Sequence, residues 1–152
     1  MGARWTQGMS LLELLIVMAV VGILLSIGWG NYNRAIWANE VTEQANMLAR
    51  DLNASRSAAQ RESQNITLSF SSNNYTFGPE GTPGTRRVLS NGITLQCITN
   101  CVGTLTYQAP FATLNDAMGR VYRLSSPHGG VAPVEVRVVG VTGKVNVVRG
   151  QS

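Results

Sequence analysis

Gly8-Met9-Ser10-Leu11-Leu12-Glu13 runs directly into Leu14–Gly30, LLIVMAVVGILLSIGWG. Glu13 is the single carboxylate at the mouth of this apolar run, and the next charge is Arg34, so the 20 residues from Leu14 to Asn33 carry none. A run of this length reads as a membrane-spanning helix, because about 20 residues at a rise of 1.5 Å cover the hydrocarbon core of a bilayer. A secretory signal peptide fits less well. Its apolar stretch is shorter, about 7–15 residues, and its small-residue cleavage site follows that stretch. Here the only small-residue exit is at Ser26, Gly28 and Gly30, whereas a better cut lies upstream, after Gly8. Cutting there removes a short polar leader, residues 1–8, whose one charge is Arg4. It frees an amine on Met9, four residues before Glu13, and retains the apolar segment.

The segment GMSLLELLIVMAVVGILL resembles the class III signal of type IV pilins and type II secretion pseudopilins. The resemblance implies cleavage between Gly8 and Met9 by a membrane prepilin peptidase and N-methylation of Met9. It also implies an assembly role for Glu13, the family's helix glutamate. Two departures stand out. Pilins usually start the mature chain with phenylalanine, where this chain has Met9. Major pilins commonly kink the apolar helix with a proline, where this chain has Gly28 and Gly30. Glycine is about 1 kcal/mol less favourable than alanine inside a helix, so two of them make a soft joint.

An ionisable group in a membrane segment is expensive and needs a partner. For Glu13 the expected partner is the Met9 amine of a neighbouring copy, an ion pair that sets axial register between helices more than it adds stability. The other reading is a glutamate snorkelling at the membrane edge of a single-pass anchor.

The 152 residues suffice for the leading helix and one domain. The expected layout is a leader over residues 1–8, an apolar transmembrane and assembly helix over 9–33, and a globular body over 34–152. Charged residues make up 13% of the chain and glycines number 16, a composition suited to a sheet-rich body with many turns. Net charge is +4, or +3 once Arg4 leaves with the leader. From Ala117 onward, Arg120, Arg123, Arg137, Lys144 and Arg149 stand against Glu135, so the last quarter alone carries +4. A solvated basic face explains a surplus of this size.

No proline occurs before Pro79. Trp37, Val41, Ala45, Leu48, Leu52 and Ala59 share one helical face, so the apolar helix continues as an amphipathic one from Ser10 to about Glu62. At 1.5 Å per residue it spans roughly 80 Å, too long for one bilayer. The period then changes. Ile66–Phe70 and Asn74–Phe77 alternate around a turn, and Gly78–Gly84 (GPEGTPG) is a loop. Val88–Cys97 reads as a strand with a break at Asn91-Gly92, followed by Thr104–Gln108, Val121–Leu124 and a terminal hairpin of Val134–Val139 and Lys144–Val148. The fold class expected is α+β, a pilin-like lollipop whose long N-terminal helix packs its second half against a small antiparallel β-sheet body. LARDLNASRSAAQRESQNITLSF, LNDAMGRVYRL and VRVVGVTGKVNVV resemble the body of GspH/FimT-type minor pilins, with glycine before a basic residue in the last two.

Cys97 and Cys101 are the only cysteines and His128 the only histidine, too few ligands for a metal site. A loop disulfide between the two cysteines is favoured for a body outside the cytoplasm, with free thiols the remaining reading. No Gly-x-Ser-x-Gly, Walker loop or spaced histidine set is present, so neither an enzyme nor a cofactor is expected. His128, in SSPHGG, reads as a solvated loop residue.

The function expected is a minor pilin or pseudopilin, a structural subunit of a type IV pilus or a type II secretion pseudopilus. It would sit in the bacterial inner membrane before assembly and in a periplasmic or cell-surface fibre afterwards. Its partners would be the prepilin peptidase and other pilins or pseudopilins. The alternative is a pilus-tip subunit that binds DNA for natural transformation, to which some FimT-type relatives are linked. In that reading Arg120, Arg123, Lys144 and Arg149 neutralise phosphates, and Tyr107 and Tyr122 stack on single-stranded bases, although core packing is the favoured reading of both tyrosines.

Overall fold

The computed structural model describes residues 10–101 and 103–150. The first element is a single helix, α1 (Leu11–Glu62). Ser10 caps its start: the Ser10 hydroxyl accepts the Glu13 backbone N–H at 3.2 Å, the arrangement that Ser-x-x-Glu sequences favour at a helix N-terminus. Glu13 in the first turn and Arg61 in the last complement the helix dipole. The helix ends where Ser63 takes a left-handed conformation, φ 50°. The described residues divide into two compact units, one up to Ala35 and one from Ile36 onward.

In the unit from Ile36, nine strands follow the helix: β1 (Ile66–Phe70), β2 (Asn74–Pro79), β3 (Thr85–Val88), β4 (Thr94–Thr99), β5 (Leu105–Gln108), β6 (Thr113–Leu114), β7 (Arg120–Ser125), β8 (Val134–Val138) and β9 (Val145–Arg149). They form two antiparallel sheets rather than the one expected, in the orders β3-β2-β1-β5-β6 and β4-β7-β8-β9. The α+β expectation stands. The break expected at Asn91-Gly92 within Val88–Cys97 is present but is wider than a break in one strand, and the start of β3 at Thr85 was not expected. Val88 ends β3 in the first sheet and Thr94 starts β4 in the second, with Asn91 (φ 56°) and Gly92 (φ 68°) turning the chain between them. The expected terminal hairpin is β8–β9, paired from Val134↔Arg149 to Val138↔Val145.

One core joins the helical stripe to the inward faces of both sheets. Val41, Ala45, Leu48, Leu52 and Ala59 meet Ile66, Leu68, Leu105, Tyr107, Tyr122, Leu124 and Val136. Fully burying one such leucine contributes about 2 kcal/mol. The alternation expected of strands buried on one face is clearest on β7, where Arg120, Tyr122 and Leu124 are buried while Val121, Arg123 and Ser125 are partly exposed. Trp37, at the start of the stripe, is half-buried; its ring stacks on His128 at 4.0 Å and 14°. His128 is an exposed loop residue, as expected, and its ring also rests on Trp37 of the helix.

Candidate functional site

The first candidate is the start of α1. Leu11, Leu15, Ile16, Met18, Leu24 and Leu25 are 56–82% exposed, an apolar surface with no cover among the described residues. Among the described residues, α1 is the one helix long and apolar enough to cross a membrane. Glu13 sits at the mouth of this surface with its backbone held by Ser10 and has no ion-pair partner among the described residues. Gly8 and Met9, the expected cleavage and methylation positions, lie outside the described residues. An apolar helix with one carboxylate at its head can be covered by lipid or by equivalent helices. The carboxylate then needs a cation in either setting.

The second candidate is the basic C-terminal quarter. Arg120 is buried. Its Nη1 donates to the Gly103 carbonyl at 3.0 Å, its Nη2 to the Thr104 carbonyl at 3.2 Å, and its Nε lies 3.7 Å from the Asp116 carboxylate. Arg123, three residues on, points to the opposite face of β7, because side chains alternate along a strand. There Arg123 and Arg137 clasp the two oxygens of Glu135, each through an Nη2 at 2.9 Å. Glu135 is 7% exposed, and the Arg123 hydrogen bond, followed by that of Arg137, holds its carboxyl below the usual carboxylate range. Arg149 pairs opposite Val134, on the core-side face at the sheet edge, and Lys144 lies exposed in the β8–β9 turn.

The four basic residues expected to act together are thus dispersed, with Arg120 in the interior and Arg123 across the sheet from it. Arg137, which was not in that set, is the one that joins Arg123. For Tyr107 and Tyr122 the core reading holds and the base-stacking one falls, because both rings are buried in the core. Burial pushes the Tyr122 phenol up to about 12 against the opposing effect of the Arg120 guanidinium, and it raises Tyr107 as well.

Cys97 and Cys101 form a disulfide, Cα atoms 5.6 Å apart. Within the loop it closes, the Asn100 amide donates to the Gly119 carbonyl at 2.9 Å, and beyond the loop Arg120 holds the Gly103 and Thr104 carbonyls. Among the described residues no group of three histidine, cysteine or acidic side chains converges as a metal site.

Comparison with known proteins bears on the start of the chain and on its fold. Residues 6–29 match the family model of the prokaryotic N-terminal methylation motif. Three solved structures share the fold. Two are crystal forms of the type IV minor pilin FimU of Pseudomonas aeruginosa; the P21 form has TM-score 0.59 at 14% identity, covering 74% of this chain and 90% of that one. The P65 form has TM-score 0.58 at 14% identity, covering 70% and 91%. The third is the minor pseudopilin EpsH from the type 2 secretion system of Vibrio cholerae, TM-score 0.59 at 10% identity, covering 72% and 97%. No curated protein matches the sequence significantly. The chain carries the methylation motif of prepilin-type proteins, and its fold is the pilin-like one of these neighbours.

Proposed function

We propose that this chain, a prepilin-type methylation motif joined to a pilin-like body, is a minor pilin or pseudopilin: a structural subunit cut by a prepilin peptidase after Gly8, methylated on Met9, and built into a fibre. The observation that carries the reading is the junction itself. From Leu11 to residue 29 the motif coincides with the start of α1, and the same helix supplies Val41–Ala59 to the core of a pilin-like body. Before assembly the apolar segment anchors the chain in the inner membrane. In the fibre the same exposed surface is covered by helices of neighbouring subunits, and Glu13 pairs with a neighbour's Met9 amine to set the axial register. The role is incorporation, without catalytic turnover.

The test is recovery in sheared fibres. The wild-type chain is expected in the fibre fraction, whereas Glu13→Ala is expected to be cut normally and to remain in the membrane. Wild-type chain absent from fibres would remove the subunit reading, and Glu13→Ala present at wild-type level would remove the register role.

The DNA-binding alternative rests on fewer residues than the sequence offered. Its support is the exposed charge of Lys144 and Arg149 and the partly exposed Arg123 and Arg137, the last two already shared with Glu135. Phosphate contacts of this kind give affinity that falls steeply with salt. DNA affinity at low ionic strength that vanishes in Lys144→Ala/Arg149→Ala would favour it; its absence would dismiss it.

A further inference from the structure

We propose that strand β3 is a docking edge for an extended, acidic segment of another protein, which adds to the five-stranded sheet as a further strand and seats one apolar side chain in the groove beside it. The proposal stands on the body alone and does not depend on processing at Gly8.

Among the described residues, β3 is the outermost strand of its sheet and pairs only with β2. All four of its residues, Thr85-Arg86-Arg87-Val88, are exposed. An outer strand leaves one row of backbone N–H and C=O groups free, and extended peptides use such rows to add to a sheet. The pairing defines what each position offers. Phe77↔Thr85 and Tyr75↔Arg87 place Thr85 and Arg87 on the helix side of the sheet, where Tyr75 and Arg87 both reach Asp51 of α1. Thr76↔Arg86 places Arg86 on the outer face.

A groove opens on the helix side next to Thr85, walled by Ala54, Ala58, Ile66 and Phe77, with both Arg61 and Glu62 at its lining, so its own charges balance and the unpaired charge facing an added strand is that of Arg86. A strand lying along β3 would therefore point the residue opposite Thr85 at this mostly apolar groove. It would point the next residue, opposite Arg86, at a guanidinium. Neither Arg86 nor Arg61 has an ion-pair partner among the described residues, while Arg87 is already paired with Asp51. The chemistry that fits is an apolar residue followed by an acidic one.

Charge also excludes the simplest other occupant. A second copy pairing through its own β3 would set arginines against arginines, and like charges directly opposite destabilise a strand pair. The two arginines thus reject self-pairing and accept an acidic strand.

The test uses the full chain in a non-ionic detergent at low salt. The probe is a fluorescein-labelled peptide of about eight residues that alternates valine and glutamate, long enough to span a strand. The control replaces its glutamates with lysines. Saturable binding of the acidic peptide, about tenfold tighter than the lysine peptide, is expected, together with slowed amide exchange over residues 85–88. Arg86→Glu, which leaves the Asp51–Arg87 pair intact, is expected to weaken the acidic peptide about tenfold. Ala54→Trp, which fills the groove, is expected to weaken both peptides. Equal binding of the two peptides, binding unchanged by Arg86→Glu, protection elsewhere than β3, or no binding would each overturn the proposal. Self-association of the chain through residues 85–88 would also overturn it, by placing a second copy there.

Discussion

The Tyr75 hydroxyl donates to the Asp51 carboxylate at 2.7 Å, and through this contact strand β2 is tied to the third turn from the end of α1. Arg87 reaches the same oxygen from β3 at 3.2 Å, so one carboxylate links the helix to two strands. Burial, then the hydrogen bond to Asp51, pushes the Tyr75 phenol well above its ordinary range. Tyr75→Phe removes one bond to a charged acceptor and is expected to cost about 1–2 kcal/mol. Asp51→Ala is expected to cost more, about 2–4 kcal/mol, because it strands a buried hydroxyl and unpairs Arg87. Urea midpoints of the body, followed by near-UV circular dichroism, rank the two variants. The reverse order would show that Asp51 does not link them.

At the acid end the expectation concerns Glu135. Its carboxyl is held low by Arg123 and Arg137, so the unfolded chain takes up a proton at a higher pH than the folded one. The contribution is complete above the ordinary carboxylate pKa, near 4.5, and is lost as pH falls through the lower folded value. Glu135→Gln removes this dependence. Urea unfolding at several pH values between about 3 and 6 should show a shallower acid decline for the variant than for the wild type.

At the alkaline end the core tyrosines act in the opposite sense. The folded state keeps the Tyr122 phenol neutral up to about 12. The unfolded chain releases that proton near the ordinary value of 10.0, so stability is complete below that pH and falls as pH rises toward 12. Tyr75 and Tyr107 are raised as well and add to the slope. Phenolate absorbance and circular dichroism should therefore change together on alkaline titration. Ionisation of these three rings with the fold intact would contradict their burial.

The late glycines have a steric role. A Cβ on Gly140 would lie 1.9 Å from the Ala117 carbonyl oxygen, and one on Gly119 (φ 72°) 2.3 Å from the Val138 carbonyl oxygen. Both obstacles are backbone and cannot swing aside. Gly140→Ala is expected to destabilise the body by about 3 kcal/mol or more, whereas Gly129→Ala, which meets open space, should stay within about 0.5 kcal/mol of wild type. Thermal unfolding of the two variants checks this contrast.

Much of the architecture was legible because single residues disclosed it. The apolar run, the Glu13 head and the stripe from Val41 to Ala59 placed α1 to within a residue at its start. Alternation placed most strands. It did not show that β3 and β4 belong to different sheets, because parity along a strand carries no information about its neighbours. The two-residue β6 was missed, being too short to show alternation. Among the basic residues the counts misled. Arg120, Tyr122 and Leu124 share one strand face, so Arg120 had to point inward with its apolar neighbours. That parity was readable and is the signal that separates a buried, carbonyl-bound arginine from a surface one. The clasp on Glu135 depends on the register of β7 against β8, which no local pattern specifies.

The most direct measurement is the intact mass of the chain recovered from native membranes or sheared fibres. The account predicts a chain starting at Met9, about 14 Da heavier for one N-methyl group and about 2 Da lighter for the Cys97–Cys101 disulfide. A chain that retains Met1–Gly8 with an unmodified N-terminus would contradict processing after Gly8, and with it the proposal that this protein is a fibre subunit.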